Sequence, residues 1–131
     1  MLVPPDGVAV RPSTDLVAID DPLAARALVY LRRHAGEPIT IKDILRKLAL
    51  PRRSLEYAFR RHLHRTPREE LMRVRIEWAK TLLIDTELPM ALVAERCGFN
   101  YAERFGVAFK RATGMPPRSF RRQHRGQAGR D

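Results

Sequence analysis

The chain has 131 residues, with 25 Lys and Arg against 15 Asp and Glu, so its formal net charge is +10. This length suits one domain with a core that needs no metal, and the single cysteine, Cys97, excludes a disulfide within the chain. The excess of basic residues favours a polyanionic partner, but a solvated surface explains it equally well. Apolar runs are short and Met1–Val10 lacks the pattern of a signal peptide, so we expect a cytoplasmic protein without a membrane span.

The first residues of the chain have the composition of a linker. Pro4 and Pro12 interrupt this segment, and its apolar residues follow no period. Asp21 is a candidate N-cap with proline at the next position, and apolar residues recur at helical spacing after it. The sequence therefore predicts a linker over 1–21 and a helix over 22–34.

Two short helices joined by a tight turn are predicted next. Thr40 and Asp43 have the spacing of a capping box, which opens a helix that ends at Leu48. Pro51 begins the second helix, which ends before Pro67 and has an apolar inner face. Together these elements indicate a helix-turn-helix unit.

The remainder of the chain predicts a long amphipathic helix and then a second pair of short helices. Four helices are expected here, over 68–86, 89–97, 101–113 and 116–123. The helix over 101–113 ends at Gly114, a residue type that favours helix ends. Residues 123–131 are predicted to be a disordered basic tail. The chain is therefore expected to be all-α, with about seven helices.

The second helical pair repeats the first. A shift of 49 residues aligns the apolar positions Ile41, Ile44, Leu45, Leu48 and Leu50 with Met90, Val93, Ala94, Cys97 and Phe99. Beyond the turn a shift of 50 aligns Leu55, Phe59 and Pro67 with Phe105, Phe109 and Pro117. The sequence therefore predicts two helix-turn-helix units joined by one long helix.

The distribution of charge separates DNA binding from plain packing of a repeated hairpin, as in a solenoid. Residues 52–80 hold nine basic and four acidic residues, and residues 104–131 hold eight basic and one acidic. In each unit the second helix keeps its apolar residues inward and carries basic residues on its outer face. Such a helix fits a major groove, with cations near its ends that bind phosphates.

Four segments of the chain resemble the DNA-binding domain of the AraC/XylS family, and the resemblance extends over about Pro22–Arg122. These segments are Pro51–Arg61, Ala79–Leu83, Val93–Phe99 and Phe109–Arg121. Within that family, residues 4–8 and 11–15 are similar to the segment that joins a periplasmic-binding-protein-like sugar sensor to this domain in xylose operon regulators.

The resemblance implies a DNA-binding domain over 22–122, with a first unit over 22–67, a connecting helix over 68–86 and a second unit over 87–122. It implies that the protein is a transcription regulator and not an enzyme. The regulator would activate a sugar operon, and the candidate is the xylose operon. Its partners would be operator DNA, bound in two successive major grooves, and RNA polymerase, with no cofactor. The absent sensor would supply dimerisation, so we expect this domain to be a monomer that acts at the nucleoid.

The resemblance also assigns residues to contacts with DNA. Positions that match the family's base contacts are Arg52, Arg53, Glu56, Tyr57, Asn100, Ala102, Glu103, Arg104 and Val107. Arginine pairs bidentately with guanine, and glutamate accepts from the amino group of cytosine. The candidate phosphate contacts are Arg60, Arg61, Lys110, Arg111 and Arg118. The second helix of each unit is its recognition helix, the one expected to enter the major groove. Gly106, inside the recognition helix of the second unit, either permits close approach to DNA or weakens that helix.

Other chemistry-bearing residues favour structural roles. Cys97 lies on the inner face of its helix, where it is expected to be a small buried apolar residue. His62 and His64 lack the company of other metal ligands, Trp78 has the spacing of a core residue, and no catalytic motif occurs. The alternative function is a basic helical module that binds nucleic acid without sequence preference.

Overall fold

The computed structural model describes residues 21–130, which form seven helices and no strand. The helices are α1 Pro22–His34, α2 Ile41–Leu48, α3 Arg52–Leu63, α4 Pro67–Asp85, α5 Met90–Arg96, α6 Ala102–Thr113 and α7 Pro117–Arg130. The predicted fold, two helix-turn-helix units joined by a long helix, is confirmed. The linker predicted over 1–21 lies outside the described residues except for Asp21. None of the helices in residues 21–130 is both long and apolar enough to cross a membrane.

Side chains that accept from free backbone N–H groups set the starts of three helices. The Asp21 carboxylate accepts from the N–H of Leu23 at 2.8 Å and so caps α1. Thr40 and Asp43 form the predicted capping box at α2. Thr66 forms a second capping box with Glu69 and starts α4 one residue earlier than expected, at Pro67.

Two separate cores lie on the two sides of the long helix α4. The first core is formed by α1, α2, α3 and the N-terminal half of α4, which contributes Leu71 and Val74. The second is formed by α5, α6, α7 and the C-terminal half of α4, which contributes Ile76, Ala79 and Leu83. Because each half of α4 is part of a different core, the helix cannot turn relative to either unit without exposing apolar surface.

Within the tail predicted over 123–131, the described residues continue α7 as far as Arg130. Arg121 donates from Nε to the carbonyl oxygen of Leu83 at 3.0 Å, and Arg125 donates to that of Thr86 at 2.7 Å. Arg125 also lies 2.6 Å from a carboxylate oxygen of Glu87. Basic side chains from the middle of α7 thus bind carbonyl groups at the C-terminal end of α4, where cations are stabilising.

Trp78 differs from the core residue that its spacing predicts. Its side chain is 38% exposed and lies on the surface of α4 against the loop that follows α1. A Cβ atom at Gly36 would come within 2.6 Å of the indole ring, so only glycine leaves room for it. Trp78 therefore covers the loop between α1 and α2 instead of filling either core.

Candidate nucleic-acid interface

The candidate DNA-contacting side chains all project into solvent. Helices α3 and α6 bury Leu55 and Phe59 in one unit and Phe105 and Phe109 in the other, so the opposite faces remain outside. All fourteen predicted contact residues are exposed: Arg52, Arg53, Glu56, Tyr57, Arg60, Arg61, Asn100, Ala102, Glu103, Arg104, Val107, Lys110, Arg111 and Arg118. The structure thus presents two exposed basic helices of similar length, one from each unit.

Neighbouring side chains on these helices orient several of the candidate residues. On α3, Arg52 lies 3.4 Å from Glu56, and Arg61 donates to the Tyr57 hydroxyl at 3.5 Å. On α6, the Arg104 guanidinium carbon lies 5.7 Å from the centre of the Tyr101 ring. These contacts are between exposed groups and contribute little stability.

A cleft separates α3 from α6, and the N-terminal ends of both helices lie at its edge. We call it the central cleft; its lining includes Lys42, Arg52, Glu56, Arg68, Asn100 and Arg104, together with Arg75 and Gly98, which are buried. Of its eighteen lining residues, five are basic, one is acidic and twelve are uncharged. The early residues of both recognition helices therefore border a single basic depression, which places the two helices on one side of the molecule.

Arg75 joins the two units at the base of this cleft. It is only 8% exposed, and its guanidinium donates to the carbonyl oxygens of Ala35 at 2.9 Å, Glu37 at 2.7 Å and Ile39 at 2.9 Å. The turn of the second unit packs on the same loop, since a Cβ at Gly98 would lie 2.5 Å from the oxygen of Ala35. We call this set the inter-unit contact; it joins the turn of the second unit to the loop of the first unit, with Arg75 of α4 bound to that loop.

The basic residues divide into bound and free groups. Glu70 is fully buried and binds Arg65 at 2.7 Å and Arg73 at 2.9 Å, while Arg32 lies 3.7 Å away. Arg65, a basic residue just after α3, therefore has a structural role. In residues 21–130, by contrast, neither an ion pair nor a hydrogen bond is made by the side chains of Arg53, Arg60, Lys110, Arg111 and Arg118.

The predicted contact residues do not all converge. Arg52, Glu56, Asn100 and Arg104 border the central cleft, while Ala102 borders a second depression together with two carboxylates, those of Glu37 and Glu95. The remaining candidates line neither depression. Sequence reasoning missed the cleft residues Lys42, Arg68 and Arg75, because they lie outside the recognition helices.

Cys97 is fully buried, as its position on the inner face of its helix predicts. Burial raises the pKa of its thiol to about 11, although the nearby positive charge of Arg75 opposes the increase. His62 lies 4.0 Å from Asp21 at the edge of the first core. Across residues 21–130, no group of three or more metal-ligating side chains comes together.

Comparison with known proteins agrees with this geometry. A family model described as a helix-turn-helix domain matches residues 44–123. The xylose operon regulatory protein of Haemophilus influenzae is 32% identical over 92% of this chain and 31% of its own length. A putative AraC-like transcription regulator of Streptomyces lividans is 34% identical over 82% of this chain and 35% of its own length. The chain thus spans about a third of the length of these relatives.

Two solved structures are similar to the described fold. The xylose-binding transcription activator xylR superposes with a TM-score of 0.68 at 28% identity, over 79% of this chain and 27% of that one. The DNA-binding domain of AdpA, a global transcriptional factor, in complex with a target DNA, superposes with a TM-score of 0.77 at 25% identity, over 86% of this chain and all of that one. This chain belongs to the AraC family of transcription regulators, as a DNA-binding domain with two helix-turn-helix units.

Proposed function

We propose that this chain binds operator DNA sequence-specifically, with α3 and α6 in two successive major grooves on one face of the duplex. The observation that carries the proposal is the shared position of the two helices, whose exposed N-terminal ends border one basic cleft. An exposed α-helix fits the major groove, where its first turns reach the edges of bases. Because both units are fixed to one another, a single chain would occupy both half-sites.

The base-reading residues are those early in each recognition helix. On α3 they are Arg52, Arg53, Glu56 and Tyr57, and on α6 they are Asn100, Ala102, Glu103, Arg104 and Val107. Arg53 and Arg104 have the strongest case, since each is exposed and forms no ion pair among the described residues. A guanidinium in that position can bind O6 and N7 of guanine at once.

The phosphate-binding residues lie later in each unit and hold the helices in their grooves. They are Arg60 and Arg61 on α3, Lys110 and Arg111 on α6, and Arg118 on α7. All five are exposed cations at or beyond the C-terminal half of a recognition helix, away from the bases. Such contacts supply affinity and register without sequence information.

In the cell, we infer, this domain is the output part of an activator of a sugar-utilisation operon, with xylose as the candidate effector. The support is the similarity to the Haemophilus influenzae xylose operon regulatory protein, of which this chain spans about a third. Effector binding and dimerisation then belong to segments outside this chain, and this chain alone is a monomer. It acts at the nucleoid, where operator-bound protein contacts RNA polymerase.

Selection of duplexes from a randomised pool by the purified chain tests the DNA-binding part of the proposal. We expect an enriched sequence with two half-sites about one helical turn apart, bound at least ~10³-fold more tightly than random duplex. A pool with no enrichment, or equal affinity for selected and random duplexes, would instead support a non-specific nucleic-acid-binding module.

The sugar assignment needs a separate test in cells. Transcription from a promoter that carries the selected operator should rise when xylose is added, and the increase should disappear when the gene for this protein is deleted. Induction by xylose in the deleted strain would contradict the assignment while leaving the DNA-binding activity intact.

A further inference from the structure

We propose that the central cleft is a third DNA-binding site, which holds backbone phosphates at the minor groove between the two half-sites, with Lys42 and Arg68 as the ligands. This inference rests on the proposed function, because the cleft lies opposite that groove only when α3 and α6 occupy successive major grooves. It adds a site in the middle of the interface, from residues outside both recognition helices.

In the proposed complex, the geometry of B-form DNA places a minor groove opposite the central cleft. Two major-groove segments on one face of the duplex are separated by one minor groove, about 6 Å wide, with a phosphate strand along each edge. The cleft lies between α3 and α6, and its walls include Arg52 and Arg104, near the starts of those helices. A duplex bound by both helices therefore places its central minor groove over the cleft.

Two basic side chains of the cleft are available to bind an anion. Lys42, the second residue of α2, and Arg68, the second residue of α4, are both exposed and point to the same depression. Neither side chain has an ion pair or a hydrogen bond with any part of residues 21–130. The one carboxylate in the lining, that of Glu56, lies 3.4 Å from Arg52, which offsets its charge. The cleft thus has two free cations for an anion that do not belong to the recognition helices.

The two walls of the cleft are fixed relative to each other before DNA binds. At its base, Arg75 donates three hydrogen bonds to backbone carbonyl groups and so does not compete for phosphate. The inter-unit contact holds the wall that carries Lys42 and Arg68 fixed relative to the wall that carries Arg104. The positions of α2 and α4 are therefore set before the duplex arrives, so only the side chains of Lys42 and Arg68 lose conformational freedom on binding.

The dependence of DNA affinity on salt tests the site, with the duplex selected by the chain as the probe. Lys42→Ala and Arg68→Ala should each make the plot of log association constant against log salt concentration less steep by about 0.9. Each should also lower affinity about fivefold at 0.15 M salt. Lys80→Ala is the matched control, since it removes one positive charge from α4 at a residue bound to Glu77, outside the cleft. Its slope should equal that of the unaltered chain.

Neutral methylphosphonates at the phosphates that flank the central minor groove provide a second measurement, which requires no protein variant. They should weaken the unaltered chain and have little further effect on the double variant Lys42→Ala, Arg68→Ala. Unchanged salt slopes in both single variants, or equal losses on neutral DNA for the chain and the double variant, would overturn the site. Neither outcome touches the proposed function, which is tested separately by selection of a preferred duplex and by its affinity relative to random duplex.

Discussion

Arg75 of the connecting helix and Gly98 of the second turn pack against each other and against the loop after α1. A Cβ at position 98 would come within 2.6 Å of Nε of Arg75 and within 2.9 Å of the oxygen of Glu37. Gly98 also has a φ of +87°, which residues other than glycine rarely adopt. The turn of one helix-turn-helix unit thus fits against the other unit only because it lacks a side chain.

Gly98→Ala should therefore destabilise the protein by ~2–4 kcal/mol, since it combines a left-handed backbone with overlap of backbone atoms. The free energy of unfolding in urea measures the effect. Gly106→Ala is the matched control, because a Cβ there would meet nothing within 4 Å, and removing a helical glycine should stabilise α6 by ~1 kcal/mol. A Gly98→Ala variant as stable as the unaltered chain would contradict the inter-unit contact. Loss of DNA affinity in Gly106→Ala would show that DNA approaches this glycine closely.

Two pairs of substitutions separate base contacts from phosphate contacts. Arg53→Ala and Arg104→Ala should each lower affinity for the selected duplex by ~1–3 kcal/mol and remove discrimination at one base position. Arg61→Ala and Lys110→Ala should weaken binding to selected and random duplexes alike. Each should also make the dependence of log affinity on log salt concentration less steep by about one. Titrations against duplexes with single base changes distinguish the two patterns. If Arg53→Ala weakened binding to all sequences equally, Arg53 would belong with the phosphate contacts.

The fixed arrangement of the two units predicts a strict spacing of half-sites. Five base pairs inserted between them turn the second groove to the opposite face of the duplex, so binding should fall towards that of one unit. Ten inserted base pairs restore the face but add ~34 Å, which the protein cannot span, so affinity should not recover. Gel-shift titrations of the two extended duplexes provide the measurement. Unaltered affinity for either duplex would mean that the units bind independently.

The buried carboxylate of Glu70 predicts a dependence of stability on pH. Burial raises the pKa of Glu70, but the hydrogen bonds and charges of Arg73 and Arg65 outweigh burial and hold the pKa below its ordinary value of 4.5. A carboxyl group with a lowered pKa stabilises the fold above about pH 4.5, and this contribution disappears as pH falls through the folded-state pKa. Glu70→Gln should therefore lower the free energy of unfolding at pH 7 by ~2 kcal/mol. In this variant the free energy of unfolding should also decrease less as the pH falls.

Urea unfolding of this variant from pH 7 to pH 3 measures both effects. Glu77→Gln, on the same helix, is a suitable control because the Glu77 side chain is 53% exposed and its pair with Lys80 contributes little. The assignment would be wrong if Glu70→Gln and Glu77→Gln gave the same stability at pH 7.

Cys97 is predicted to be almost inert to thiol reagents in the native protein. The thiol is fully buried and burial raises its pKa to about 11, so at pH 8 very little reactive thiolate is present. Labelling should be at least ~100-fold slower in buffer than in denaturant, where the ordinary pKa returns and access is free. Rapid stoichiometric labelling of folded protein would point instead to a reactive cysteine.

Local patterns in the sequence predicted most of the fold. The Thr40–Asp43 spacing located the start of α2 because a capping box depends only on residues three apart. The repeat predicted the pair of helix-turn-helix units, since both place their apolar residues at the same intervals. Exposure of the recognition residues followed from the same periodicity, because residues opposite a buried stripe face solvent.

Long-range contacts could not be predicted in this way. Arg75 binds carbonyl groups 36 to 40 residues away, and nothing in its local sequence distinguishes it from the exposed arginines nearby. Arg125 resembles part of a charged tail until α7 is packed against the end of α4. Lys42 and Arg68 face the central cleft only because two units pack together, so their candidate role required the assembled fold.

The rigidity of the inter-unit contact transfers the work of adjustment from the protein to its ligand. In the proposed complex, α3 and α6 keep one separation, so any mismatch with relaxed DNA is met by elastic deformation of the duplex, at a cost of roughly 1–6 kcal/mol. Pyrimidine–purine steps such as TA and CA deform most easily, so their presence between the proposed half-sites would lower that cost. We therefore expect base pairs that no side chain touches to contribute to the choice of operator through their flexibility.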